Sequence, residues 1–257
     1  MILPLYRSEL LKLRHTKIYS VVILAAVLGN LVSIFMLLPT LNMSGQNVAA
    51  SLQEVFYRQG NLITIIGPFV FALIAGYIFS KEYSERTINQ LFTYPVSRTK
   101  IFFAKLCVVF FLIIVTVLFS CIAAVIIGAA KASTDTTAVE MILRGITMNL
   151  SVCLLSFGTI PLAIAVSMIS KSIIPPMVLG TFASLVTLLL EIGHGMKSIL
   201  FPWTTPYILV REFGSGFSEM GPNPYTGIAF TSLAILFVCT LVFCIAYYSR
   251  AEIHSGS

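Results

Sequence analysis

The sequence predicts an all-α integral membrane protein with six transmembrane helices. Two observations carry this. Of 257 residues, 58% are hydrophobic and only 10% charged, whereas a soluble domain carries about 25% charged residues. The apolar residues also fall in long unbroken runs, not in ten-residue alternation. Helices of about 20 residues, each pairing its own backbone groups, are therefore what crosses the lipid.

Residues 1–17, MILPLYRSELLKLRHTK, set Leu3, Leu5, Leu10, Leu11 and Leu13 among Arg7, Lys12, Arg14 and Lys17. That mixture predicts an amphipathic interfacial helix whose four basic residues anchor it to lipid headgroups. It lacks the short apolar core of a cleavable signal, so none is expected. The first span runs from Ile18 to Leu38. The polar stretch 41–60 reads as a loop, with Val48, Leu52, Val55 and Phe56 at a spacing that fits a short surface helix. The second span covers Leu62 to Phe79, with a kink expected at Gly67-Pro68.

A polar segment over 80–100 leads to the third span, Ile101 to Ile127, and a second loop spans 129–142. The fourth span runs from Ile146 to Ile169 and the fifth from Ile174 to Leu190. Only Ser170-Lys171-Ser172 lies between them, a tight turn followed by Pro175-Pro176 in the first turn of the next helix. The sixth span covers Ile228 to Tyr248. Residues 191–225 contain SILFPWTTPYILV, two apolar pieces too short to cross and broken by Pro202 and Pro206. They read as an extracellular re-entrant segment, with Trp203 and Tyr207 suited to the interfacial belt. The whole chain, 1–257, is a single transmembrane domain.

With the amino terminus inside, 11 lysines and arginines lie on the cytoplasmic side and 5 outside. The positive-inside rule therefore places both termini in the cytoplasm. The net charge of +6 comes from these loops and points to no nucleic acid. All five cysteines sit in apolar runs without a CxxC pair and read as packing residues.

No catalytic centre is expected. GHGMKS (193–198) fails the phosphate-loop pattern, because Met196 separates Gly195 from Lys197 and no strand precedes it. There is no HExxH, EFGSG (212–216) lacks the first glycine of GxSG, and EYSER lacks adjacent glutamates. Glu191 and His194 share a helical face, but two ligands do not make a metal site. Glu212 and Glu219 read as solvated charges. The middles of the six spans hold no Asp, Glu, Lys, Arg or His, only polar residues such as Asn30, Thr64, Thr116 and Asn149. A transporter driven by ions carries ionisable groups there, so the engine is expected on another chain.

The most polar interruption is SKEYSERTINQLFTYPVSRTKIFFAKL, residues 80–106. Ile88, Leu91 and Phe92 are spaced i, i+3, i+4, Ser84 is a helix cap with Glu85 in the first turn, and Pro95 ends the helix. An acidic-basic helix with so small an apolar edge suits a groove in a protein rather than a lipid surface.

This segment resembles the cytoplasmic loop of ABC-2 type transporter permeases, whose pattern runs from a Glu-rich start through GTI..LL to PVSR...F..AK. Arg86 stands where many relatives have glycine. The basic entry helix, six spans and interrupted stretch before the last span are similar too, so the resemblance covers the chain, with 80–106 carrying its specificity. In size the chain is similar to short permeases of bacitracin and lantibiotic resistance and of phenol-soluble modulin export.

The resemblance implies a coupling helix seated on a separate ATP-hydrolysing subunit, with Glu82, Glu85, Ile88, Leu91, Phe92, Pro95 and Arg98 carrying the contact. ATP and Mg would sit on two such ATPase subunits, with no cofactor on this chain. It also implies a second permease copy, as a homodimer or with a similar partner, in the plasma membrane of a bacterium. The substrate class it implies is amphipathic or antimicrobial-type peptides. A path at the dimer interface would be apolar, with Phe35, Met36, Phe69, Phe71 and Phe79 as lining candidates. An ion-coupled secondary transporter and a non-transporting membrane scaffold are the alternatives.

Overall fold

A computed structural model describes residues 2–13, 16, 18–20, 22–24, 26–27, 30, 52–84, 97–131, 138–192, 196–214 and 224–250. Among these the regular structure is helical throughout. It comprises α1 (Ile2–Leu13), α2 (Leu52–Ser84), α3 (Arg98–Lys131), α4 (Ala138–Phe157), α5 (Ile160–Ser170) and α6 (Ile174–Ile192). A 3-10 turn (Met196–Leu200), α7 (Tyr207–Phe213) and α8 (Thr226–Arg250) follow. Five stretches are long and apolar enough to cross a membrane: α2, α3, α4 together with α5, α6, and α8. Most of the expected first span lies outside the described residues. Within it Ile18, Val22, Ala26 and Asn30, each four apart, are buried on one helical face.

The axis of the bundle is α2, which packs against α3, α4, α5, α6 and α7. Small residues let α6 come close: a Cβ on Gly180 would lie 2.7 Å from the Pro68 carbonyl oxygen and 2.8 Å from the Ala72 Cβ. Close backbone approach of this kind is how helices gain contact where lipid removes the hydrophobic drive. Pro68 sits inside the continuous helix α2. Its ring disturbs the local ladder, and the neighbouring Phe69 N–H donates to Ser184 Oγ of α6 at 3.1 Å.

The fourth span is broken. Gly158 and Thr159 separate α4 from α5, and Pro161 follows in the first turn of α5. The freed groups find partners, as lipid requires. Gly158 N–H donates to Leu155 O at 2.9 Å, Thr159 Oγ1 to Ser156 O at 3.0 Å, and Cys244 Sγ of α8 to Pro161 O at 3.2 Å. The turn from α5 to α6 is as tight as expected. Lys171 caps α5 in the left-handed conformation, φ 51°, a position commonly given to glycine.

Two boundaries and the surroundings of one side chain differ from the sequence reading. Residues 52–60 are not loop but the first turns of α2, because Val55, Phe56 and Gln59 are buried against α4 and α7. Residues 138–142 likewise open α4, where Glu140 and Arg144 pair at 2.7 Å across one turn. Tyr207 does not face an interfacial belt. It is buried beside Tyr57, while α7 is seated against α2 and α4.

Candidate functional site

The segment 85–96, which holds Glu85, Ile88, Leu91, Phe92 and Pro95, lies outside the described residues, as do Arg14, Lys17, Phe35 and Met36. Its two stems are described, and they form a built site. α2 ends at Ser84 and α3 begins at Arg98, so the stems run side by side. α1 packs along α3, its Tyr6 ring edge-on to Phe111 with centroids 6.3 Å apart.

Where the three helices meet, four charges close into a ring. Lys105 is only 2% exposed. Its Nζ lies 2.9 Å from Glu82 Oε2 and 3.7 Å from Glu9 Oε2, and it donates to the Ile78 carbonyl at 3.3 Å. Lys12 closes the other side, 2.6 Å from Glu9 Oε1 and 3.2 Å from Glu82 Oε1. Two ammoniums and two carboxylates cancel, which is what makes burial of charge tolerable. The Phe79 ring lies 5.8 Å from the Lys105 ammonium, close enough for a cation–π contribution. Burial alone would lower the Lys12 pKa, but hydrogen bonding and charge from Glu9, then from Glu82, outweigh it and hold the group above its ordinary value. The ammonium therefore stays charged throughout the physiological range.

The sequence reading named Glu82 and Lys12 for different tasks, and the structure brings them together. Glu82 is spent inside the chain, and Lys12 bridges α1 to α2. Arg98 donates to the Ser249 carbonyl at 3.3 Å, tying the start of α3 to the end of α8. Arg7 is exposed. Glu9 and Lys105 were missed as site residues. The available signal was Lys105 itself, a lone cation four residues into an apolar span, since such a residue demands a partner.

At the opposite end of the bundle four uncharged side chains are buried together. Gln59 and Asn149 exchange amide hydrogen bonds at 2.8 and 3.0 Å. Ser120 Oγ accepts from Gln59 at 3.2 Å and from Asn30 at 3.0 Å. The first span, α2, α3 and α4 are thereby joined. Beside Ser120 a small apolar cavity is lined by Ala26, Ile63, Val70, Phe71 and Thr116. Of the three described path candidates, Phe71 and Phe79 are buried within the chain, Phe79 against Phe102 at 5.5 Å between centroids. Phe69 is half-buried.

The profile described as "ABC-2 family transporter protein" matches residues 5–187, well over half of the chain and inclusive of all four charges in the ring. The chain belongs to the ABC-2 transporter family. It is also similar to the protein named "Bacitracin transport permease protein BCRB" of Bacillus licheniformis, 26% identical over 194 residues, which is 75% of this chain and 88% of that one. The expected family is thus found by sequence comparison. As an ABC-2 family protein with several apolar spanning helices, the chain is a multi-pass membrane protein and the permease subunit of an ABC exporter. Membership implies association with ABC ATPase subunits.

Proposed function

We propose that this ABC-2 permease exports amphipathic or antimicrobial-type peptides, or similar hydrophobic compounds, from the plasma membrane of a bacterium. The observation that carries this reading is the match to a bacitracin transport permease over 88% of that protein's length. Power comes from two separate ATPase chains that hold ATP and Mg, and this chain contributes no catalytic residue.

The coupling element follows Ser84, which ends α2 and does not cap a separate helix as the sequence suggested. Its Glu85, Ile88, Leu91, Phe92 and Pro95 lie in the partner's groove, while Glu82 and Arg98 brace the stems behind it. Both termini lie in the cytoplasm, and residues 191–225 form the extracellular re-entrant region. Two permease copies meet at an apolar path to which Phe35, Met36 and Phe69 contribute, backed by Phe71 and Phe79. Nucleotide-driven closure of the ATPases displaces the coupling helix and its stems, and α2 and α3 carry that motion to the path.

The test is purification from the native membrane in mild detergent with mass identification of what accompanies the chain. An ATPase at about one per permease, lost on Ile88→Asp, is the expected result, a symmetric pair of pairs being the default assembly. A chain that purifies without an ATPase, and is indifferent to Ile88→Asp, overturns the reading.

A further inference from the structure

We infer that Glu9 and Lys12 are positioning residues that clamp α1 to the stems of the coupling segment, so that α1 moves with α2 and α3 during each transport cycle. This rests on the permease reading above and adds a third moving helix to it. The Glu82–Lys105 contact, at 2.9 Å, joins the two stems to each other and does not involve α1. The remaining three contacts all end on α1: Lys12 to Glu82 at 3.2 Å, Lys105 to Glu9 at 3.7 Å, and Lys12 to Glu9 at 2.6 Å within the helix.

A surface helix that only floats on headgroups has no use for a buried carboxylate. Glu9 is 8% exposed, and turning it inward toward Lys105 costs desolvation that a lipid-anchoring role does not require. Lys12 is also turned toward protein, although its side chain keeps 43% exposure. The backbone adds to the clamp, since Lys81 Nζ on α2 donates to the Lys12 carbonyl at 3.4 Å. Farther along, Tyr6 meets Phe111. α1 is thus held to α2 by charge and to α3 by charge and packing, along most of its length.

The double variant Glu9→Gln with Lys12→Gln removes one charge of each sign, keeps comparable volume, and leaves Glu82 and Lys105 paired. In the complex with its ATPase, reconstituted in vesicles, peptide transported per ATP hydrolysed is expected to fall about tenfold, within the span of measured coupling effects. Lys12→Arg, which keeps the charge, is expected to stay at the wild-type ratio. A second measurement replaces the ionic clamp by a covalent one. Tyr6→Cys with Phe111→Cys, in a Cys107→Ser, Cys239→Ser background that removes both exposed native thiols, is bridged by a short thiol crosslinker.

The bridged complex is expected to transport like the unbridged one, and bridging is expected to restore the ratio in the Glu9→Gln, Lys12→Gln background. An unchanged ratio in the double variant overturns the inference and leaves the permease reading standing. So does transport that stops on bridging. An intact wild-type chain that transports without any ATPase overturns the permease reading, and the inference falls with it.

Discussion

The α1 end of the bundle is tied by four charges, Glu9, Lys12, Glu82 and Lys105, and the opposite end by four uncharged groups, Asn30, Gln59, Ser120 and Asn149. Both sets are buried except for the half-exposed Lys12, both join three or more helices, and both run through α2 and α3. They differ in what a break exposes. An amide left alone keeps some bonding to its own helix, as Asn149 does to the Gly145 carbonyl at 2.8 Å and Asn30 to the Ala26 carbonyl at 2.7 Å. A lone buried ammonium keeps a carbonyl too, as Lys105 does at Ile78, but a neutral acceptor leaves its charge uncompensated. Uncharged ties are therefore forgiving and the charged ring is all-or-none, which suits a place where three helices must move as a unit.

The sharpest way to break the comparison is Lys105→Ala. It leaves Glu82 and Glu9 sharing Lys12, and removing one partner of a buried ion pair costs about 3–5 kcal/mol. Thermal unfolding in detergent should show the largest loss of the set, with Glu82→Gln added to Lys105→Met recovering much of it. A loss no larger than that at the amide end would mean water reaches the ring.

Gly145→Ala probes the opposite end through packing. Its Cβ would fall 2.7 Å from the Phe56 ring, one turn before Asn149, and overpacking of this kind costs about 1–3 kcal/mol. Thermal unfolding in detergent should show that loss, and Phe56→Leu added to Gly145→Ala should recover part of it, since the methyl then no longer meets a ring. Gln59→Leu removes the centre of the amide set and is expected to cost about 1 kcal/mol, the scale of interhelical hydrogen bonds in membranes. Adding Asn149→Leu should cost less than the sum of the single changes, because neither amide is then left unpaired.

The smallest effect belongs to Arg144→Ala. Its pair with Glu140 has the same sign logic as the ring, but both side chains are about two-thirds exposed. Such pairs contribute roughly 0–0.5 kcal/mol. A destabilisation approaching that of Lys105→Ala would show that charge alone, not burial, sets the energetics.

Composition and run length were enough for the class and for most ends of the five described apolar stretches, since lipid allows few alternatives for an apolar segment. The turn at Lys171 and the proline-led start of α6 were equally legible, because their chemistry is local. Residues 52–60 were not. Gln53, Glu54, Arg58 and Gln59 read as a polar loop, yet Glu54 pairs with Arg58, Gln53 donates to the Phe213 carbonyl at 2.9 Å, and Gln59 meets Asn149. Polar residues that find partners on other helices look, in one dimension, like polar residues facing water. Tyr207 misled for the same reason, an amphipathic ring being equally at home in lipid headgroups and against Tyr57.

The sequence by itself determined that this protein lives in a membrane, where its longest polar interruption lies, and which family that interruption resembles. These depend on composition and on motifs within a few residues of one another. Only the tertiary structure decided that Glu9, Lys12, Glu82 and Lys105 are one object. Lys12 and Glu82 are 70 residues apart in the chain and 3.2 Å apart in space. Electrostatic pairing falls off with distance through space and is indifferent to distance along the chain, so no local pattern could have joined them.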